Sequence, residues 1–481
     1  MTSPDKLEHE FFSTPAPAAL PANRLPLELT ETLKLAIPIA LTQLGQIAMM
    51  TTDLALIGRL GDAAVAAAAL AHTVFFVNFT VGMGLVAAVA PLAAQAFGAR
   101  DPRMVRRALR VGLWAALLIS LPMIAVLLAG ERILLMLGQA PATAHLAQNY
   151  LHGLAWGIAP ALGFLAIRGL MGAVNRPEPG LWITLAAIPA NGVLVYVLIH
   201  GGPGMPRLEL FGAGLGTTLI NVAMFFAGLS VVIARRPFKK YRALARLWRI
   251  DWPLMQRLVA IGAPISIAFL LEYGLFGAAG LLMGLIGTTA LASHQIALQV
   301  AAILFMVPFG IGMAATVRVG HAVGRNDPTA VRRAGGVATL LGMAFMSAMT
   351  LAVILGRFAI GRLFFGEAAD SAAAAIELTG NLLLVGATFF VADGIQAVAA
   401  GALRGLSDTR IPLLFAAISY WLVGFPAACL LGFRTELGAI GVWLGLSCGT
   451  AVHAVLLTLR FLLLTRRLRS ATTLRPLGSP H

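Results

Sequence analysis

The sequence carries little charge for its length. Only 11% of its 481 residues are Asp, Glu, Lys or Arg and 59% are hydrophobic, whereas a soluble globular protein has about 25% charged residues. This composition leaves too little polar surface to cover a water-soluble globule. It excludes a soluble fold and predicts a protein whose surroundings are mainly lipid.

Other absences exclude further classes of protein. The two cysteines, Cys429 and Cys448, both fall inside apolar segments, so no disulfide framework is expected. Residues 1–30 lack the basic start and short apolar core of a cleavable signal peptide, and we interpret them as a disordered cytoplasmic tail. No Walker A phosphate-binding loop occurs, which argues against ATP as the energy source.

The sequence does contain twelve long apolar segments. A helix needs about 20 apolar residues to cross a membrane, and irregular backbone in lipid would leave amides unsatisfied. The short alternating segments of a transmembrane barrel do not occur. We therefore predict an all-α membrane protein with twelve transmembrane helices (spans 1–12) at residues 33–58, 67–97, 106–129, 146–171, 181–200, 211–234, 257–286, 290–322, 334–356, 376–403, 411–432 and 438–464.

The twelve segments form two copies of one pattern. The loops 98–102 (GARDP) and 324–328 (GRNDP) are 226 residues apart, as are Pro38 and Pro264. Because six spans separate the copies, both halves enter the membrane in the same direction, which predicts two pseudo-symmetric six-helix bundles with a cavity between them. The predicted domains are an N-terminal tail (1–30), an N-lobe (31–234, spans 1–6), a basic linker (235–256), a C-lobe (257–465, spans 7–12) and a C-terminal tail (466–481).

The net charge is +15, and the basic residues are distributed along the chain in a way that indicates the orientation of the spans in the membrane. Basic residues concentrate in the tail after span 12 and in the connectors after spans 2, 6 and 8, whereas the opposite connectors hold only Arg59, Arg132, Arg207, Arg357, Arg362 and Arg434. By the positive-inside rule we expect a multi-pass protein of the cell inner (cytoplasmic) membrane, with both termini cytoplasmic and no nucleic-acid partner. Residues 235–249 could also contact anionic lipid headgroups, although a plain cytoplasmic connector is the favoured interpretation.

Three of the 20 acidic residues lie well inside the predicted spans: Asp53, Glu272 and Asp393. A charge at the bilayer centre costs about 2.5–3.5 kcal/mol on insertion scales, so such residues normally face a cavity and bind ions or protons. The alternative is an acid that pairs with a buried cation or lies at the membrane interface, and the second possibility fits Asp53 best because it is near the end of span 1. We predict that all three acids couple transport to a cation.

Polar and aromatic side chains accompany these acids along the spans. Because lipid offers no hydrogen-bond partner, a polar stripe should face the interior of the bundle. Aromatic rings beside a carboxylate suit an organic cation, although ordinary packing explains any single Phe as well. The residues predicted in this way to line a substrate cavity include Gln46, Tyr273, Gln295 and Phe389.

Carboxyl groups between helices also suit cation exchange. Such a group can take up and release a proton, and its ionised form can bind a hard cation through oxygen. A cationic substrate would compete for the same negative charge, which gives antiport. We expect Glu272 and Asp393 to bind Na⁺ if the protein is sodium-coupled, and we expect no cofactor beyond the coupling ion, Na⁺ or H⁺.

At these residues the chain resembles the multidrug and toxic compound extrusion (MATE) family, in its NorM-like branch, over about residues 31–465. The segments that carry the resemblance are 52–54 (TDL), 264–272 (PISIAFLLE), 318–321 (RVGH), 392–394 (ADG) and 403–405 (LRG). The resemblance implies a two-lobed, twelve-helix exporter driven by Na⁺ or H⁺. It implies cation coupling at Asp53, Glu272 and Asp393, and it adds Phe305, Gln46 and Asn191 as residues that line or support the sites.

Two positions depart from the family pattern. Phe389 stands where relatives often have a tyrosine, so a hydroxyl group near Asp393 is missing and the Na⁺ assignment is weakened. Val195 stands where some relatives have a second acid near Asn191.

We predict a secondary active multidrug efflux transporter that exports amphipathic or cationic organic compounds in exchange for Na⁺ or H⁺, acts as a monomer and contacts membrane lipids. The alternative is a flippase for lipid-linked precursors, whose cavity is typically basic, whereas the deep ionisable groups here are acids. An enzyme is not expected, because no nucleophile and base converge. A receptor has no reason to be duplicated around buried acids.

Overall fold

The computed structural model describes residues 25–201, 206–242, 248–365 and 370–473. Within these ranges the chain is helical and contains no strand. Eleven helices of the described residues are long and apolar enough to cross a membrane, and two shorter helices that meet at 47° give a twelfth if they form one broken span. The all-α membrane fold is therefore confirmed, with eleven to twelve candidate spans against the twelve predicted.

Most helices extend a few residues beyond the predicted spans, because helical structure continues past the apolar stretch into the membrane interface. In chain order the spans are Leu25–Gly58, Asp62–Ala87 with Val89–Gly98, Pro102–Leu128, Pro141–Ala155 with Ile158–Ala173, Glu178–His200, Glu209–Ala234, Trp252–Ile286, Thr288–Gly324, Pro328–Phe365, Asp370–Gly405, Arg410–Ala416 through Phe425–Phe433, and Ala439–Thr473. The short helices Gly130–Met136 and Phe238–Tyr241 lie in connectors.

The two terminal tails are shorter than the sequence predicted. Span 1 begins at Leu25, inside the predicted tail, and span 12 continues to Thr473, beyond the predicted end of the C-lobe. Residues 1–24 and 474–481 lie outside the described residues.

The internal repeat is visible in local geometry. Arg100 and Asn326 occupy the same left-handed backbone conformation, with φ of 57° and 55°. The residue after each begins the next span in the same way: Asp101 Oδ1 accepts from the amide of Met104 at 2.9 Å, and Asp327 Oδ1 accepts from the amide of Ala330 at 2.9 Å. The two copies of the loop therefore end one helix and begin the next by the same hydrogen bonds.

Equivalent glycines bring the two lobes together. Gly98 of span 2 packs against the backbone of His321 in span 8, and Gly324 of span 8 packs against the backbone of Gln95 in span 2. A Cβ atom at either glycine would overlap the facing backbone. The lobes thus meet through the same position of each repeat, as a pseudo-two-fold arrangement requires.

Candidate cation and substrate sites

A buried polar network lies in the middle of the C-lobe. Gln396 of span 10 is 4% exposed, and its Nε2 donates to Glu272 Oε1 at 2.7 Å and to Asp393 Oδ1 at 2.8 Å. Asp393 precedes Gln396 by one helical turn, whereas Glu272 comes from span 7. One amide nitrogen therefore holds an oxygen atom of each carboxyl group, and the two predicted second-lobe acids belong to one site.

Two further side chains complete this network. The Tyr420 hydroxyl donates to Gln396 Oε1 at 2.5 Å, and His453 Nδ1 lies 2.5 Å from the same oxygen and 2.8 Å from the Tyr420 hydroxyl. Tyr420 lies in a π-helical stretch of span 11, Ala417–Gly424, and such turns are frequent at functional sites. Span 11 therefore supplies a hydroxyl group to the site, although Phe389 in span 10 supplies none.

A small cavity of about 50 Å³ opens beside the network, and its lining includes Glu272, Gln396, His453, Phe305 and Arg404. This volume accommodates an ion or a few water molecules and excludes an organic substrate. Because a buried carboxylate needs a compensating partner, the acid pair must hold a proton or a cation when Arg404 does not compensate it. The oxygen atoms of two carboxyl groups, an amide and a hydroxyl suit Na⁺ as well as H⁺.

The N-lobe acid has a separate environment. Asp53 is 6% exposed, its Oδ1 accepts from Asn191 Nδ2 at 2.5 Å, and its Oδ2 accepts from Thr217 Oγ1 at 3.0 Å. Asn191 Oδ1 is buried and has no hydrogen-bond partner among the described residues. Val195, one turn beyond Asn191, is fully buried. Asp53 is therefore buried, and it forms no ion pair with any residue that the structure describes.

A larger cavity of about 240 Å³ lies between the lobes. Gln46 and Thr217 line it. Because Thr217 also donates a hydrogen bond to Asp53, the side chain of Thr217 connects the N-lobe acid to the cavity. The lining contains two arginines, Arg168 and Arg404, and no acidic residue among those described. Arg404 lines both cavities and thus lies between the acid pair and the central space.

The cavity arginines were not predicted as site residues. Arg168 Nη2 donates to Gln43 Oε1 at 2.7 Å, and the Arg404 guanidinium lies 4.9 Å from the centre of the Phe269 ring. Among the described residues neither arginine forms a salt bridge. The sequence places both near span ends, and only the folded arrangement shows that their side chains reach the cavity.

Three predicted lining residues lie elsewhere in the structure. Phe389 is 1% exposed and packs against Trp443 and Phe390 with ring centres 5.8 and 6.1 Å away. The Tyr273 ring contacts Phe76 of the other lobe at 5.0 Å, and Gln295 is exposed. None of the three lines either cavity. Helical periodicity identifies residues that share a face but does not show which neighbour that face meets.

Polar contacts close the lobes against each other at the arginine-rich end. Arg318 Nη2 of span 8 lies 2.8 Å from Glu28 Oε1 of span 1. His321 Nε2 lies 2.6 Å from the Ala173 carbonyl oxygen. Gln95 Nε2 donates to the Ser407 hydroxyl at 2.9 Å. Glu28 falls in the segment that we interpreted as a disordered cytoplasmic tail. This interpretation is wrong for Glu28, because it lies in a helix and forms a salt bridge between the lobes.

Comparison with known proteins agrees with this architecture. The MatE family model matches residues 38–197 and 264–430. The chain is 67% identical over 468 residues to "Probable multidrug resistance protein NorM" of Bradyrhizobium diazoefficiens, covering 97% of this chain and 100% of that protein. It is 40% identical to "Multidrug resistance protein NorM" of Burkholderia vietnamiensis, covering 92% and 95% of the two chains.

Solved structures show the same fold at low sequence identity. A crystal structure of the eukaryotic MATE transporter AtDTX14 has a TM-score of 0.82 at 20% identity and covers 93% of this chain and 99% of that one. A crystal structure of MATE in the bent conformation has a TM-score of 0.83 at 17% identity and covers 94% and 100% of the two chains.

Proposed function

Because the chain belongs to the MatE family, we propose that it is a secondary active multidrug efflux transporter that exchanges amphipathic organic compounds for Na⁺ or H⁺. The observation that carries the coupling mechanism is the pairing of Glu272 and Asp393 on one amide of Gln396. Glu272 and Gln396 line a cavity sized for an ion, and Asp393 is joined to them through the Gln396 amide. A larger cavity lies between the lobes. We assign the coupling cation to the first cavity and the organic substrate to the second.

Arg404 provides a physical link between cation and substrate, since it lines both cavities. When the acid pair is ionised, it attracts the guanidinium and draws positive charge away from the central cavity. When a proton or Na⁺ neutralises the pair, Arg404 is free to turn its charge toward the central cavity. A cationic substrate is then repelled, so cation and substrate exclude each other through electrostatic interaction.

We also propose the orientation in the membrane. The positive-inside rule puts the arginine-rich ends of the spans, and both termini, on the cytoplasmic side of the inner membrane. The lobes are closed at this end by the contacts of Glu28, Gln95 and His321. The arrangement is therefore a state closed to the cytoplasm, from which substrate would leave on the opposite side.

The alternative of a lipid-linked precursor flippase is less well supported. The arginines of the central cavity weaken the charge argument that the sequence offered against it. The named relatives favour drug efflux. The central cavity of about 240 Å³ argues against the flippase, because it is far too small for a long-chain lipid.

Transport in proteoliposomes tests the proposal. A Na⁺ gradient and a pH gradient are imposed separately, and movement of a fluorescent organic cation is followed. The wild type is expected to respond to at least one gradient, and Glu272→Gln with Asp393→Asn is expected to respond to neither. Glu31→Gln serves as control because, among the described residues, the one ion pair of Glu31 is with exposed Lys34. Gradient-driven transport by the double variant would disprove the coupling role.

A further inference from the structure

The outer face of the N-lobe carries a groove that the transport sites do not use. It runs along spans 5 and 6 and has a volume of about 990 Å³, at the upper end of the range of roughly 300–1,000 Å³ for ligand pockets. The groove has one charged end, and the rest of its lining is almost entirely apolar. Its shape and chemistry are those of a site for an elongated amphiphile.

Small residues at helical spacing create the groove. Ala186 and Ala190 lie one turn apart on span 5, and Ala223 and Ala227 lie one turn apart on span 6. Small residues normally let membrane helices pack closely, yet Ala186, Ala190 and Ala223 are exposed and Ala227 is half-buried. The missing side-chain volume therefore faces outward, where hydrocarbon chains of the bilayer can fill it.

Three arginines stand at one end of the groove: Arg176, Arg235 and Arg236. All three are exposed, and no hydrogen bond or salt bridge of the described residues satisfies their guanidinium groups. Glu178 is the one acid in the described lining, so the end of the groove remains positively charged. Trp182 is 68% exposed in the same groove, and tryptophan is enriched where hydrocarbon meets headgroups.

We propose that this groove binds an anionic phospholipid, with its phosphate at the three arginines and an acyl chain along the alanines. Guanidinium groups match phosphate oxygens in pairs of hydrogen bonds. An organic cation would be repelled by the arginines, and a zwitterionic lipid would gain less from them because its own positive charge opposes theirs. Since the positive-inside rule puts this end at the cytoplasm, the lipid comes from the inner leaflet.

The bound lipid would touch a wall of the transport cavity. Met224 lines both the groove and the central cavity, and with Ala187 and Ile220 it belongs to the buried cluster beneath the groove. An occupant of the groove therefore packs against the side chain that separates lipid from substrate. A ligand that binds only the folded N-lobe also raises its stability.

Native mass spectrometry of the purified full-length protein tests the site with dioleoyl phosphatidylglycerol and dioleoyl phosphatidylcholine. We expect preferential retention of phosphatidylglycerol, and Arg235→Gln with Arg236→Gln is expected to weaken its binding by roughly 30-fold. Lys239→Gln with Lys240→Gln removes the same charge from exposed neighbours that do not line the groove, and this control should bind as the wild type does. Arg235→Lys with Arg236→Lys keeps the charge but loses the paired hydrogen bonds of the guanidinium groups, so its affinity should lie between those of the wild type and the glutamine variant.

Two further experiments identify the molecule that occupies the groove. Ala223→Phe with Ala227→Phe fills the groove and should reduce binding of the long-chain lipid while leaving all arginines in place. Dihexanoyl phosphatidylglycerol and inorganic phosphate, which cannot fill the groove, should bind much more weakly than the dioleoyl lipid. The proposal is overturned if the arginine and lysine variants lose phosphatidylglycerol equally, if the filled groove binds it as before, or if the two dioleoyl lipids bind alike.

Discussion

Replacing Gln396 with methionine should uncouple transport from the cation gradient. Methionine has a similar volume but no amide, so the packing is kept and the hydrogen bonds to Glu272, Asp393 and Tyr420 are lost. A hydrogen bond to a charged group contributes about 1.5–3 kcal/mol. If that contribution orients the acid pair for the cation, its loss weakens cation binding by roughly 10- to 100-fold, because about 1.4 kcal/mol corresponds to a factor of ten.

The assay is efflux from proteoliposomes at increasing concentrations of the coupling cation. For Gln396→Met the half-maximal concentration should rise by one to two orders of magnitude, and the melting temperature should fall because buried partners are left unsatisfied. Gln295→Met is the matched control, since Gln295 is exposed and lines neither cavity. If the two variants have the same cation dependence, Gln396 does not organise the coupling site.

Three other perturbations test separate parts of the structure. Glu28→Gln breaks a largely buried salt bridge between the lobes, which should lower the stability of the closed arrangement by about 3–5 kcal/mol. Labelling of cysteines placed at the arginine-rich end should therefore increase, whereas Glu31→Gln should leave it unchanged. Arg404→Gln should make substrate affinity, measured by fluorescence quenching, independent of Na⁺ and pH. The hydrogen bond from Arg107 lowers the pKa of Asp251, so ionised Asp251 stabilises the folded protein. This stabilisation is lost below about pH 4, where Asp in the unfolded chain binds protons. On acidification through this range the melting temperature of the wild type should therefore fall more than that of Asp251→Asn.

The sequence was sufficient to predict the fold, because the constraints of a membrane are strong. Twelve apolar segments of helical length have few alternatives in lipid, and the 226-residue offset between Pro38 and Pro264 predicts two similar lobes. The structure adds detail that composition cannot supply, such as the 47° bend within span 4. It also starts span 1 at Leu25, because residues before the apolar stretch are held by contacts with the other lobe.

The candidate site was only partly predictable. The cost of burying charge directed attention to Glu272 and Asp393, and the structure brings both to Gln396. Tyr420 and His453 were not predicted, because they reach the site from spans 11 and 12. A hydroxyl group or an imidazole within a span indicates a functional site less strongly than a carboxylate does, because it costs less to bury. The sequence does show, however, that such polar residues are rare among the apolar residues of these spans.

The charge of the central cavity was the least predictable feature. We expected acids and aromatic rings around the substrate. Phenylalanines such as Phe269 and Phe309 do line the cavity, but the described lining carries Arg168 and Arg404 and no acid. Both arginines are near span ends in the sequence, and a long side chain can carry its charge several ångströms from its backbone. Whether such a group points toward water or toward a cavity depends on packing between spans distant in the chain.

In an antiporter, substrate that moves down its own gradient must drive the coupling cation in the opposite direction. Proteoliposomes loaded with a fluorescent organic cation and diluted into substrate-free buffer should take up Na⁺ or H⁺, measured with radioactive Na⁺ or an internal pH dye. Glu272→Gln with Asp393→Asn should abolish this cation uptake. Substrate efflux from wild-type vesicles without any opposite cation movement, or equal cation movement in the double variant, would contradict the account.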